Sequence, residues 1–110
     1  MTSVELDFPI GKVSNYLFTH PSKTGLMQSM GYSDNDVNYI YTEIESQVNS
    51  QYLLGNYKLG GFSNNGQIVN IIIILKNKFD SNKIYRFLSG WMAYPNGKLH
   101  CNTPFAGWIS

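Results

Sequence analysis

The spacing of hydrophobic positions changes near Gly55, from helical intervals before it to strand-like runs after it. Val13, Tyr16 and Leu17 predict a short helix over 10–18, opened by Pro9. Thr19-His20-Pro21-Ser22 ends it, because the residue before a proline is biased toward extended backbone. Leu26, Met27 and Met30 predict a second helix over 23–30, stopped by Gly31. A third has the fullest signature. Ser33 and Asp36 form an Asp version of the capping box, and Asp34 favours the positive end of the helix dipole. Val37, Ile40, Ile44 and Val48 then make one apolar face, and the helix should end between Gln51 and Leu54. Residues 1–8 read as a leader or linker remnant.

Beyond Gly55 the pattern predicts four strands. Tyr57–Phe62 is the first, with Gly60-Gly61 marking a bulge, and Asn64-Asn65-Gly66 turns it back. Gln67–Lys76 is almost continuous in Ile and Val, as for a central strand covered on both faces. Asp80-Ser81-Asn82 leads to Ile84–Tyr94, and the hairpin signal Asn96-Gly97 leads to Lys98–Asn102. Thr103-Pro104 is expected to stop the ladder, since proline has no N–H to donate. The predicted fold is α+β, with N-terminal helices packed on one face of a four-stranded antiparallel sheet. Alternation puts Lys98, His100 and Asn102 on one face and Leu99 and Cys101 on the core face. Thr103 follows the core face unless the chain kinks before Pro104. In the preceding strand Tyr85, Phe87, Ser89 and Trp91 share a face, and Arg86, Leu88 and Met92 share the other.

At 110 residues the chain is expected to form one domain around one core. Cys101 is its only cysteine, so no intrachain disulfide forms. No basic region followed by an apolar run marks a signal peptide, and the run Ile71–Leu75 is too short to span a bilayer. A soluble domain in a reducing compartment is expected. Charge is unevenly distributed. Through Asn56, two lysines stand against six carboxylates, a net of −4; from Tyr57 onward, six cations stand against Asp80 alone, a net of +5. Such asymmetry points to a polyanion-binding surface on the second half, or to lysines that keep strand edges from pairing.

The residue types restrict the chemistry. With two histidines, one cysteine and no clustered carboxylates, no metal-ligand spacing is present, and no cofactor is expected. A Cys101–His100 protease pair is geometrically poor, because adjacent strand residues point to opposite faces. Metal-independent ribonuclease chemistry remains open. It needs a base for the 2′-hydroxyl, an acid for the leaving 5′-oxygen and donors for the phosphate. His20, close to Lys23, and His100 are the histidines available.

Several short stretches add a resemblance: Ser89-Gly90-Trp91-Met92, Tyr94-Pro95-Asn96-Gly97-Lys98-Leu99 and Asn102-Thr103-Pro104-Phe105-Ala106-Gly107-Trp108. Tyr16-Leu17-Phe18, His20-Pro21, Lys23 and Met30-Gly31-Tyr32 belong with them. Together they resemble the C-terminal toxin domains of bacterial contact-dependent growth inhibition proteins and related polymorphic toxins. The resemblance implies a ribonuclease of the barnase/EndoU/RelE-like superfamily that cleaves tRNA without a metal. It also implies a cognate immunity protein, in some cases a host translation factor, and delivery from a secreted or cell-surface effector into the target-cell cytoplasm. Carried onto this chain, the expected catalytic residues are His20, Lys23, His100 and Thr103. Arg86, Trp91, Tyr94, Lys98 and Asn102 are expected to bind substrate. The alternative is a non-enzymatic interaction module, an immunity or phage accessory protein, using the same sheet and aromatics as a protein interface.

Overall fold

The capping box anticipated at Ser33 forms in the computed structural model, which describes residues 4–17, 21–64 and 66–108. Asp36 Oδ2 accepts the Ser33 backbone N–H at 2.9 Å, and Ser33 Oγ accepts the Asn35 N–H at 3.3 Å. A single 3₁₀ turn, Asp34–Asp36, runs straight into the long helix Val37–Leu54. This is α3, after α1 (Gly11–Leu17) and α2 (Pro21–Ser29). Gly55 closes α3 in the left-handed region, φ 78°, with the Asn56 N–H on the Gln51 carbonyl at 2.9 Å. Ile40, Ile44 and Val48 are fully buried on one face, and Val37 packs beside them. Burying each such side chain contributes about 1.5–3 kcal/mol.

That face lies on a five-stranded mixed sheet, so the α+β class is as expected but the sheet has one more strand. Its strands are β1 (Leu6–Asp7), β2 (Lys58–Ser63), β3 (Gly66–Lys76), β4 (Ile84–Ala93) and β5 (Leu99–Trp108), in the order β1-β5-β4-β3-β2. β2 to β5 form the anticipated antiparallel meander, and β1 adds to β5 in parallel. Of the segment read as a linker remnant, residues 6–8 are therefore part of the fold. Phe8 is buried, stacked on Tyr41 with centroids 4.5 Å apart and edge-on to Trp91 at 5.3 Å. Tyr41 Oη donates to the Phe8 carbonyl at 2.6 Å. Two alternating residues carry too little period to be read as a strand.

The bulge expected at Gly60-Gly61 is present: Leu59 pairs with Val69, but Phe62 pairs with Gln67. Gly66 has to be glycine, because a Cβ there would sit 2.1 Å from the Ala93 carbonyl oxygen. β3 is covered on one face only. Val69, Ile71, Ile73 and Leu75 are buried, whereas Ile72 and Ile74 are 37% and 41% exposed. Continuous apolar composition thus hid an ordinary alternation.

β5 also differs from expectation, because it continues past Pro104 to Trp108. Irregular pairing accommodates the proline. Trp91 faces Cys101, Gly90 faces Thr103 and Leu88 faces Gly107, so extra residues are looped out of β5 on both sides of Thr103. The core face of β4 and β5 carries Phe87, Ser89, Trp91, Leu99, Cys101 and Phe105, all buried.

Candidate functional site

The outer face of the sheet, opposite the helices, carries His100 and Arg86, two of the residues singled out by sequence. His100 is paired across the ladder with Met92 on β4 and across the parallel ladder with Asp7 on β1. Its Nδ1 lies 2.7 Å from Asp7 Oδ2, with the imidazole 32% exposed. An ionised carboxylate can only accept, so Nδ1 carries the hydrogen in this contact and Nε2 presents a lone pair. The Tyr94 ring stacks on the imidazole at 5.8 Å, with planes 18° apart. Tyr94 stands at the mouth of the hairpin turn, its backbone N–H on the Lys98 carbonyl at 2.9 Å. Two residues before Asp7, just outside β1, Glu5 Oε1 lies 3.4 Å from Lys98 Nζ. Glu5, just before β1, and Asp7 within it thus meet Lys98, just before β5, and His100 within it, which helps to fix the register of the short strand.

The looped-out Asn102 decides where Thr103 lies. Gly90, opposite Thr103, would direct a Cβ to 3.3 Å from Thr103 Cγ2 and 3.8 Å from Asn70 Oδ1. Asn70 lies between the inward-facing Val69 and Ile71, so this is the outer face. The irregularity therefore brings Thr103 onto the face of His100 and exposed Asn102, where simple alternation would have sent it to the core. Its hydroxyl is already engaged, donating to the Phe105 carbonyl at 2.9 Å and accepting the Phe105 N–H at 3.3 Å.

No protein-family model matches the chain, and no curated protein or solved structure matches it.

The remaining expected site residues divide. Arg86 is exposed on the outer face, opposite Ile74. Trp91 is not available to a surface ligand: it is fully buried, with Nε1–H donating to Ser89 Oγ at 2.8 Å. Its position on the Phe87–Ser89 face placed it in the core, and that alternation outweighs the general tendency of tryptophan to bind ligands. His20 lies outside the described residues, and of Lys23 only the backbone, in α2, is described. Cys101 is buried on the core face, and burial pushes its thiol up to about 12, which keeps it protonated and unreactive. Among the described residues no group of three or more His, Cys, Asp or Glu could hold a metal ion. No helix of the described residues is long and apolar enough to cross a membrane.

Sequence reasoning missed Asp7. Its spacing from His100, 93 residues, leaves no local motif, and only the β1–β5 pairing joins the two. It also missed a groove of about 690 Å³ on the outer face. β2 begins opposite Asn70, so β3 beyond that residue has no strand on its outer side. Ile72, Ile74 and Leu88 form the groove's apolar floor, while Tyr57, Lys58 and Arg86 stand at its sides.

Proposed function

We propose that the protein is a metal-independent endoribonuclease toxin acting on tRNA, with His100 as the group that moves the proton. The observation that carries this reading is the His100–Asp7 pair on a sheet face open to a large substrate. Asp7 holds the imidazole in the tautomer whose Nε2 can take the 2′-hydroxyl proton, and it stabilises the imidazolium that results. The 2′-oxygen then attacks phosphorus, the P–O5′ bond breaks, the departing 5′-oxygen takes a proton from solvent water while the imidazolium returns its own to solvent, and a 2′,3′-cyclic phosphate remains. Lys98, two residues before His100 and held at 3.4 Å by exposed Glu5, supplies positive charge for the phosphate. Thr103 serves in shaping the face, since its hydroxyl is engaged with Phe105. A cognate immunity protein of acidic character fits the net +5 of the second half. Delivery from a surface effector and help from a host translation factor belong to the same proposal.

The test is cleavage of total tRNA by wild type and His100→Ala, with and without EDTA. The expected result is cyclic-phosphate ends, persistence in EDTA and a loss of about 10²–10⁴-fold in the variant. Cleavage abolished by EDTA, or a fully active His100→Ala, overturns the mechanism. A non-enzymatic interaction module is the second reading, favoured by the exposed Leu54, Leu59 and Phe62, the last 85% accessible.

A further inference from the structure

We propose that the groove beside β2 is a nucleotide-binding subsite of the same surface, holding one base and its phosphate several nucleotides from the bond cleaved. The proposal rests on the ribonuclease reading for its ligand, and on separate residues for its argument. The groove's volume, about 690 Å³, lies in the range of small-molecule sites. Its floor is apolar and none of its lining residues is acidic. Lys58 and Arg86 both line it, and neither forms an ion pair among the described residues. Two cations without counter-ions over an apolar floor fit a ligand with an anionic group and a flat hydrophobic body.

An aromatic wall completes the fit. Tyr57 stacks on Tyr52 at 5.2 Å with planes 24° apart, so the second ring braces the first from one side. Tyr57 remains 37% exposed, and a braced ring is a stacking platform for a base of any sequence. Asn56 Nδ2 donates to Gln51 Oε1 at 3.0 Å, a bond that uses neither Asn56 Oδ1 nor Gln51 Nε2. Both residues line the groove and offer an acceptor and a donor to a base edge.

The outer face links this subsite to His100. Along β4, Met92 beside His100, Gly90 beside Thr103, Leu88 in the groove floor and Arg86 succeed one another on one side. From Met92 to Arg86 is roughly 20 Å at about 3.4 Å per residue, a span of a few nucleotides. Gly90 keeps the middle of that path free of a side chain, with Asn70 and Thr103 flanking it. The strand would cross the sheet with a phosphate at His100 and a base on Tyr57.

The experiment separates binding from cleavage. A fluorescein-labelled single-stranded RNA of about ten nucleotides, 2′-O-methylated throughout, cannot be cut because its nucleophile is blocked. Anisotropy titrations over a range of salt are made with wild type, Tyr57→Ala and Arg86→Ala, each checked for fold by circular dichroism. Tyr57→Ala should weaken binding on the order of 10-fold without changing the salt slope, as for a lost base stack. Arg86→Ala should weaken binding and lower the slope by about 0.7, the value for one phosphate contact on a single strand. Equal affinities and slopes in wild type, Tyr57→Ala and Arg86→Ala overturn the groove, and so does a wild type that binds no RNA at low salt. Wild-type binding lost as expected in the groove variants, with no cleavage of unmodified tRNA, sustains the groove and overturns the ribonuclease reading instead.

Discussion

The Gln47 side chain pairs with the backbone of Ile74 as a neighbouring strand would, donating to its carbonyl at 2.7 Å and accepting its N–H at 2.8 Å. β2 stops short of this part of β3, so a helix side chain supplies the missing partner. Tyr32 Oη donates to the Lys76 carbonyl further along the same strand. An exposed strand edge invites pairing with other chains, and this one is covered by side chains. Gln47→Ala should destabilise the fold by about 1–3 kcal/mol and speed amide exchange at Ile74. A chemical-denaturation midpoint and an Ile74 exchange rate equal to wild type would contradict the role assigned to Gln47.

Ser89 holds together the polar part of the core. Its hydroxyl donates to the Ile71 carbonyl at 2.8 Å and accepts the Trp91 indole N–H at 2.8 Å. Ser89→Ala removes almost no volume but leaves a buried indole donor without its acceptor. The expected cost is about 1–3 kcal/mol, read from urea unfolding. Ser89→Thr keeps the hydroxyl but adds a methyl in a packed interior, and overpacking should make it less stable than wild type as well.

The Asp36 carboxylate gives the fold a pH-dependent anchor. The Ser33 backbone N–H, and after it Lys78 at 3.0 Å, hold its pKa below the ordinary value of 3.8. A depressed pKa in the folded state means stability that is present above 3.8 and lost as pH falls through the folded value. Asp36→Asn should therefore lower the melting temperature at neutral pH. The gap between variant and wild type should close as the pH is taken down below the ordinary carboxylate range. A gap that stays constant to pH 2 would show that charge plays no part.

Asp7→Asn tests the pairing that the proposed chemistry depends on. The amide keeps the shape but presents a donor or a neutral acceptor to Nδ1, and no longer stabilises an imidazolium. Cleavage of tRNA should fall, by less than the about 10²–10⁴-fold expected for His100→Ala, with KM little changed. An Asp7→Asn enzyme of full activity would reduce the pair to a fastening of β1.

Several periods and named local motifs were read correctly, although the stop at Thr103-Pro104 was not, since β5 runs on to Trp108. The Ser33 cap, the face of Ile40, Ile44 and Val48, the Gly60-Gly61 bulge and the meander are all local signals, each set by neighbours within a few residues. What was not legible depends on distant partners. β1 is two residues long and is defined by β5, and the β5 irregularity that turns Thr103 outward is defined by pairing with β4. The open outer side of β3 was hidden because Ile72 and Ile74 are as apolar as the buried residues between them. Of the candidate site, His100 and Arg86 could be placed on a face by alternation. Asp7 and the groove needed the third dimension.

The joining of β1 to β5 also fixes when in the life of the chain the pair comes into being. During synthesis Asp7 leaves the ribosome long before His100, and an unfinished chain has no strand for β1 to dock against. The dyad is then among the last contacts to close, since a pairing of such separation brings the greatest loss of loop entropy. Any process that threads the chain unfolded separates the two residues, and refolding reunites them. Clipping the chain after Asp7 would part the carboxylate from His100, while every other helix and strand kept its own residues.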